Sequence, residues 1–215
     1  MSLFSRFLTG LTPLSPEQLL SSAEPVVLAC FANPDTLTRF RVVSDGNSLG
    51  GGTKATFSHM SESSRSKSVD SSGEESFARF TGVLNKNVDG HQKKIRAGFA
   101  ALQAVDDYSP QVPLGEMQQL QLRVRSDGRP YRINVRCDSF NPDDMYQGDM
   151  KGLPPGEWTT LTLYLHNLVL TGRGRIRSSG RKLDGNEELR SIGFLLADEV
   201  DGPFQLDISS VTLLS

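Results

Sequence analysis

Residues 119–137 read QLQLRVRSDGRPYRINVRC, in which apolar residues alternate with polar ones on both sides of a turn. Because successive side chains of a β-strand point to opposite faces, each run predicts a strand with one buried side. The apolar positions of the two runs are Leu120, Leu122, Val124, Ile133, Val135 and Cys137. Between the runs, Asp127 and Gly128 supply the positive φ that tight turns need, in a loop of up to about five residues. The stretch therefore predicts a β-hairpin that lies on a hydrophobic core.

Short apolar runs of strand length recur along the rest of the chain. They lie at residues 26–31, 40–43, 76–84, 95–105, 158–170, 192–197 and 204–214. Helix candidates are short, and strands do not alternate with helices, which argues against a parallel α/β fold. A chain of 215 residues is long enough for one all-β domain with a substantial core. We predict a single β-sandwich of two antiparallel sheets over residues 24–215.

Two segments depart from this pattern. Residues 1–23 begin MSLFSRFLTGL, with one arginine, no acid and an apolar stripe, and a helix start follows at Ser15-Pro16. This N-terminal extension predicts a short helical segment, either a surface helix or an organellar targeting segment. Residues 58–76 are serine-rich and polar. Because they bury little apolar area, they predict a long mobile loop within the sandwich.

The composition argues against several classes of protein. No apolar run reaches the roughly 18 residues that a membrane-spanning helix needs. The formal net charge of −2 provides no overall field that favours nucleic acid. Cys30 and Cys137 fit no metal-ligand spacing, and His59, His91 and His166 are isolated from one another. We therefore expect no metal, no cofactor, no small-molecule substrate and no nucleic acid.

Two local patterns have a chemical interpretation and a simpler one. Gly46, Ser48 and Gly50 match the spacing of the G-x-S-x-G nucleophile elbow, which needs a strand before the serine and a helix after it. The glycines and the strand-like residues that follow favour a turn without a catalytic role. The adjacent acids at 106–107 and 143–144 offer oxygen ligands for Ca²⁺, but adjacent carboxylates are common in ordinary loops.

Arginines form the main candidate binding surface. In the predicted hairpin, the face opposite to the apolar one carries Arg123, Arg125, Arg132 and Arg136. A second basic cluster in the Gly/Ser-rich segment 172–182 includes Arg173, Arg175 and Arg177. Like charges on neighbouring strands repel unless acids or a partner neutralise them. The arginines therefore either pair with the protein's own acids or bind an acidic protein surface, anionic lipid or RNA; few exposed aromatics accompany them, which weakens the RNA alternative.

The ordered sequence pieces resemble the complex I intermediate-associated protein 30 family over about residues 25–214. Besides the stretch 119–137, these pieces are FRVVSDGNSLGGGT (40–53), FARFTGVL (77–84), AGFAAL (97–102), PPGEWTTLTLYLHNL (154–168) and LRSIGFLLADEVDGPFQLDISSV (189–211). Each piece alone is weakly diagnostic, and their order along the chain makes the resemblance specific.

The resemblance implies a galactose-binding-like jelly-roll β-sandwich without catalytic residues. It also implies a mitochondrial, non-enzymatic assembly factor or chaperone that holds intermediates of respiratory complex I, the NADH:ubiquinone oxidoreductase. The expected partners are complex I subunits or assembly intermediates, with any membrane association made through those partners. The alternative is a carbohydrate-binding module, because the implied fold is common among sugar-binding proteins. Trp158, at a predicted strand start, is then either a core anchor or a platform for sugar stacking.

Overall fold

The computed structural model describes residues 24–48, 50–63, 74–87, 97–108, 111–139, 141, 143–172, 175–177, 181–183 and 185–215, and more than half of these described residues lie in strands. In chain order the strands are β1 (Val26–Cys30), β2 (Phe40–Ser44), β3 (Lys54–Ser63), β4 (Glu74–Leu84), β5 (Ala100–Ala104), β6 (Val112–Pro113), β7 (Gln119–Ser126), β8 (Arg132–Cys137), β9 (Asp144–Asp149), β10 (Trp158–Tyr164), β11 (Val169–Gly172), β12 (Arg175–Ile176), β13 (Glu188–Leu196) and β14 (Gly202–Leu214). The helical elements are the 3₁₀-helices Pro34–Arg39 and Leu165–Asn167 and one short helix, α1 (Asp45–Ser48).

The strands form two antiparallel sheets. The first, six-stranded sheet has the order β10-β7-β14-β4-β3, with β1 also paired to β14. The second, eight-stranded sheet has the order β12-β11-β9-β8-β13-β5-β2, with β6 also paired to β13. Alternate residues of facing strands are buried between the sheets, among them Leu122, Val124, Ile133, Val135 and Phe194. The predicted all-β sandwich is confirmed, and the alternation in residues 119–137 correctly identified the buried side of both strands.

The predicted hairpin is wrong. β7 belongs to the first sheet and β8 to the second, so residues 127–131 cross from one layer to the other. Gly128 has a φ of 91°, as a tight turn requires. Tyr131, at the end of the crossover, is completely buried and donates its hydroxyl to Asp127 at 3.2 Å. Alternation specifies the buried face of a strand but not its neighbour, and both arrangements satisfy the same pattern.

Arg129 fastens this crossover to the turn that precedes β14. Its guanidinium forms two parallel hydrogen bonds to the Asp198 carboxylate, at 2.9 and 2.6 Å. It also donates to the carbonyls of Gly202 and Pro203, at 3.2 and 3.0 Å. Charge-assisted bonds of this forked geometry are among the strongest polar contacts in proteins. They hold the end of β7 against β14, which is its neighbour in the first sheet.

Two further predictions concern the segments that depart from the strand pattern. The loop predicted over residues 58–76 is wrong at both ends, because β3 extends to Ser63 and β4 begins at Glu74, with Ser63 opposite Glu74. Polar side chains are compatible with these strand ends since one face of the sheet is solvated. The residues from 64 to 73 lie outside the described part of the chain, as does the predicted N-terminal helical segment within residues 1–23.

Candidate functional site

The predicted arginine surface is divided between the two sides of the sandwich. Arg123 and Arg125 lie on the outer face of the first sheet, because Val124 between them points to the core. Arg132 and Arg136 lie on the outer face of the second sheet, since Ile133 and Val135 are buried. The expectation that all four share one face is therefore wrong, and it fails for the same reason as the hairpin.

A buried carboxylate organises the arginines of the first sheet. Asp207 is opposite Arg125 in the pairing of β14 with β7 and opposite Arg79 in its pairing with β4, and its side chain is completely buried. Arg79 donates Nε and Nη2 to Asp207 at 2.7 and 3.0 Å, and Arg125 donates Nε at 2.9 Å. Arg125 also reaches Glu62 at 3.0 Å. Both guanidiniums are thus committed to contacts within the protein.

Aromatic rings complete this group, which we call the arginine–aromatic cluster (Phe77, Arg79, Arg125, Trp158 and Asp207). Phe77 is only 2% exposed although it points away from the core, and its ring meets that of Trp158 edge to face at 5.3 Å. The Arg125 guanidinium lies 5.2 Å from the centre of the Phe77 ring and 4.9 Å from that of Trp158. Such cation–π contacts become stronger where the groups are shielded from water. Trp158 is therefore neither a core residue nor an open sugar platform.

The outer face of the second sheet forms a groove with a volume of about 380 Å³. The polar residues that β8, β9 and β13 contribute to its lining include Arg132, Asn134, Arg136, Gln147 and Ser191. Gln147 donates its amide to Asn134 at 2.8 Å, so neighbouring amides hold each other in position. Ligand-binding clefts have volumes from about 300 to 1,000 Å³, and this groove lies within that range.

The groove arginines are paired but accessible. Arg132 donates Nε to Asp149 at 3.0 Å, and the two side chains are 45% and 44% exposed. Arg136 pairs with Asp107, which also binds Arg190 at 3.0 Å. An exposed pair such as Arg132–Asp149 contributes at most about 1 kcal/mol to stability. An acidic ligand can therefore replace the Asp149 carboxylate at little cost in stability. Replacement of Asp207 on the first sheet would cost more, because that carboxylate is completely buried.

The second basic cluster is only partly described. Arg177 pairs with Asp144 at 2.9 Å, and Arg175 is exposed on β12, while Arg173 lies outside the described residues. The carboxylates considered for Ca²⁺ include Asp107 and Asp144, both of which bind arginines. Within the residues that the structure describes, no three His, Cys, Asp or Glu side chains are grouped to hold a metal ion.

The serine pattern does not have the geometry of a nucleophile elbow. α1 follows β2 directly and ends at Ser48, so the helix precedes that serine instead of following it. The glycines allow close packing: a Cβ on Gly51 would lie 2.1 Å from Oδ2 of Asp45, which is itself completely buried. His59 projects toward the inside of the first sheet, opposite Ala78, and the His166 ring contacts Tyr164. His91 falls in the undescribed segment 88–96.

Sequence reasoning missed the burial of Asp207 and Glu187. Asp207 looked like any polar residue of an alternating strand, and its partners Arg79 and Arg125 are distant in the chain. Glu187 lies at the end of the second sheet, where it accepts hydrogen bonds from Tyr146 at 2.8 Å and Arg181 at 2.9 Å. Burial, reinforced by the Glu187 carboxylate, raises the pKa of the nearby Cys137 thiol to about 12. Short-range sequence patterns carry no signal for such contacts.

Comparison with solved structures shows the fold. The family 11 carbohydrate-binding module of a cellulosomal cellulase of Clostridium thermocellum superimposes with a TM-score of 0.57 at 14% identity, covering 91% of this chain and 96% of that one. The family 11 module from the same organism in complex with a β-1,3-1,4-mixed-linked tetrasaccharide gives a TM-score of 0.52 at 15% identity, covering 89% and 95%. The chain thus has the galactose-binding-like jelly-roll fold implied by the sequence resemblance. No described helix has the length and apolar character that crossing a bilayer requires.

Comparison of sequences identifies the family. "Complex I intermediate-associated protein 30, mitochondrial" of Neurospora crassa is 29% identical over 139 residues, and the protein of that name in Mus musculus is 33% identical over 99 residues. These matches cover 61% and 45% of this chain, and 49% and 30% of the relatives, so the chain matches half or less of their length. The family model of complex I intermediate-associated protein 30 matches residues 29–208. The chain therefore belongs to the complex I intermediate-associated protein 30 family.

Proposed function

We propose that this protein is a mitochondrial, non-enzymatic assembly factor that binds intermediates of respiratory complex I. The observation that carries the proposal is the family match over residues 29–208, which includes nearly all of the sandwich. The curated relatives are named as mitochondrial proteins. A sandwich with broad outer faces suits a protein that holds a client, and its contact with membranes is made through that client.

The groove of the second sheet is the client-binding surface that we favour. Arg132 and Arg136 are accessible there; Arg132 is bound to Asp149 through an exposed pair, and Arg136 is bound to Asp107 through a partly buried one. A client that presents acidic side chains can displace Asp149 or Asp107 and later be released, which suits a factor that must leave the finished enzyme. Arg175 and Arg177, at the β12 edge of the same sheet, are further candidates for contact with the client. Arg173 is a candidate on the basis of the sequence alone.

The arginines of the first sheet have a smaller role in this proposal. Arg125 is 17% exposed and bound to the buried Asp207, so its recruitment by a client would leave that carboxylate without one of its two arginines. Reversal of its charge would place a carboxylate against both Asp207 and Glu62 and would destabilise the fold. Arg123 is packed over the Trp158 ring at 5.5 Å, where it borders the arginine–aromatic cluster.

Affinity purification from mitochondrial membranes tests the proposal. The tagged protein should co-purify with complex I subunits, identified by mass spectrometry, and should co-migrate with a subcomplex in native gels. The double variant Arg132→Glu/Arg136→Glu should lose most of these partners. Lys54→Glu is the matched control, because it reverses an exposed charge on the other sheet and should retain them. Circular dichroism of each variant verifies the fold.

The results separate the function from the site. Migration of the wild-type protein only as a free species, with no complex I subunit recovered, would overturn the proposed function. Full recovery of partners by a folded groove variant would leave the function intact and reject the groove as its site.

A second candidate function is carbohydrate binding, favoured by one observation. The groove lies on an outer sheet face of a fold shared with family 11 carbohydrate-binding modules, and its amides and arginines offer hydrogen bonds to hydroxyl groups. Calorimetric titration with a β-1,3-1,4-mixed-linked tetrasaccharide tests this function. Saturable binding that Asn134→Ala abolishes would support it, and the absence of heat at millimolar ligand would remove it.

A further inference from the structure

Strand β10 forms one edge of the first sheet. It consists of seven residues, WTTLTLY, and all seven pair in unbroken antiparallel register with β7, from Trp158 opposite Arg125 to Tyr164 opposite Gln119. Within the described residues, no strand pairs with its other side. β10 therefore presents the backbone donors and acceptors of its free side at the margin of the sandwich.

The other sheet edges are protected in ways that β10 is not. β3 carries Lys54 and Glu62, and β2 carries Arg41. β12 and β6 have two residues each, and β1 has an irregular register between Val27 and Ala29. β10 contains no charged residue, no proline and no bulge. Natural proteins usually prevent edge-to-edge association with charges, proline, bulges or very short strands. The absence of all four devices from β10 indicates an edge that is used for pairing.

The sequence of β10 is complementary to itself. In an antiparallel pair centred on Leu161, Trp158 of one copy lies opposite Tyr164 of the other, and Thr160 lies opposite Thr162. These residues project from the outer face of the sheet, where Thr160, Thr162 and Tyr164 are exposed. Aromatic–aromatic and Thr–Thr pairs are favourable cross-strand neighbours, and no like charges meet. A two-fold axis thus provides every outer-face residue of β10 with a suitable partner.

We propose that β10 pairs with β10 of a second copy of this chain, so that the first sheets of the two copies become one continuous antiparallel sheet. The interface is isologous, with Leu161 on the two-fold axis, and it closes the edge instead of allowing further growth. It leaves the groove open, because the groove lies on the second sheet. This inference does not depend on the proposed function.

Two variants that introduce opposite charges into β10 test the pairing. The wild-type protein should sediment at twice the 23.5 kDa chain mass at micromolar concentration. Thr160→Lys/Thr162→Lys and Thr160→Glu/Thr162→Glu should each be monomeric, because like charges would face one another at the axis. An equimolar mixture of the two variants should recover the dimer. A monomeric wild-type protein, or a lysine variant that remains dimeric, would overturn the proposal.

Cysteine cross-linking tests the register in a Cys30→Ser background, which removes the exposed native thiol. Leu161→Cys should form an intermolecular disulfide on mild oxidation, because residues opposite each other in a β-pair have Cα atoms about 4.5 to 5.5 Å apart. Thr160→Cys is the control, since its counterpart would be a diagonal neighbour at about 7 to 8 Å. Equal cross-linking of both variants, or of neither, would reject the Leu161-centred register.

Discussion

Asp207 and Arg79 form a two-pronged ion pair on the outside of a β-sheet, with hydrogen bonds of 2.7 and 3.0 Å, and the carboxylate is completely buried there. The pair lies outside the hydrophobic core, yet Phe77, Arg125 and Trp158 shield it from water. At this cluster the first sheet is therefore packed on both faces, so Arg79 and Arg125 stabilise the fold there instead of forming an open arginine surface.

We expect Asp207→Ala to lower the free energy of unfolding by about 3 kcal/mol, because it leaves two partly buried guanidiniums without their shared acceptor. Urea denaturation measures the loss. Asp149→Ala is the control, since it removes an exposed pair with Arg132 and should cost less than about 1 kcal/mol. Equal losses in the two variants would contradict the role assigned to the buried carboxylate.

The single tryptophan of the chain reports on the same cluster. Arg125→Met removes the nearer of the two guanidiniums that lie over Trp158 and breaks the bonds to Asp207 and Glu62. We expect the emission maximum of Trp158 to move to longer wavelength and the free energy of unfolding to fall by about 2 kcal/mol. Arg41→Met, on the second sheet, should leave the emission unchanged. A shift of the same size in both variants would exclude a local effect of Arg125 on the indole.

The two thiols should differ sharply in reactivity. Cys30 is exposed, whereas Cys137 is buried and its pKa is raised to about 12, chiefly by burial and then by Glu187. Because the thiolate is the reactive form, Cys137 should remain unmodified by a disulfide reagent at pH 8 until the protein unfolds. Thiol titration of the native protein should count one rapid group, and Cys30→Ser should abolish it. Rapid reaction of native Cys30→Ser would contradict the burial of Cys137.

Stability should decrease in acid, in part through Asp198. Burial opposes its ionisation, but hydrogen bonds from Arg129 and from the Val200 N–H outweigh burial, so the pKa of Asp198 lies below its ordinary value. A carboxylate with a lowered folded-state pKa stabilises the fold fully above the unfolded-state pKa of about 4. That contribution is lost as the pH falls through the folded-state pKa.

The variant Asp198→Asn isolates this contribution. It should be less stable than wild type at pH 7, since Arg129 loses its carboxylate, and the difference should shrink as the pH falls below about 4. Thermal unfolding at several pH values measures both effects. A difference in stability that stays constant from pH 7 to pH 2.5 would show that the titration of Asp198 contributes nothing.

Part of the candidate site could be predicted from the sequence. The arginines of β7 and β8 were placed correctly on the polar side of their strands, because alternation is a local property of extended backbone. Their separation onto opposite sides of the sandwich could not be predicted, because it depends on which strands become neighbours. The groove could not be predicted for the same reason, because its lining combines residues of β2, β5, β8, β9 and β13, which become neighbours only in the folded sheet.

The order of apolar and polar residues by itself determined that this chain forms β-strands, which side of β7 and β8 is buried, and that the strands stack in two layers. Tertiary structure alone decided that β7 pairs with β14 while β8 enters the other sheet. That choice depends on contacts such as those from Arg129 to Asp198 and from Asp127 to Gln205, across 69 and 78 residues of chain. A period of two residues is generated by the local backbone, whereas strand partners and buried ion pairs arise from residues that meet only when the chain has folded.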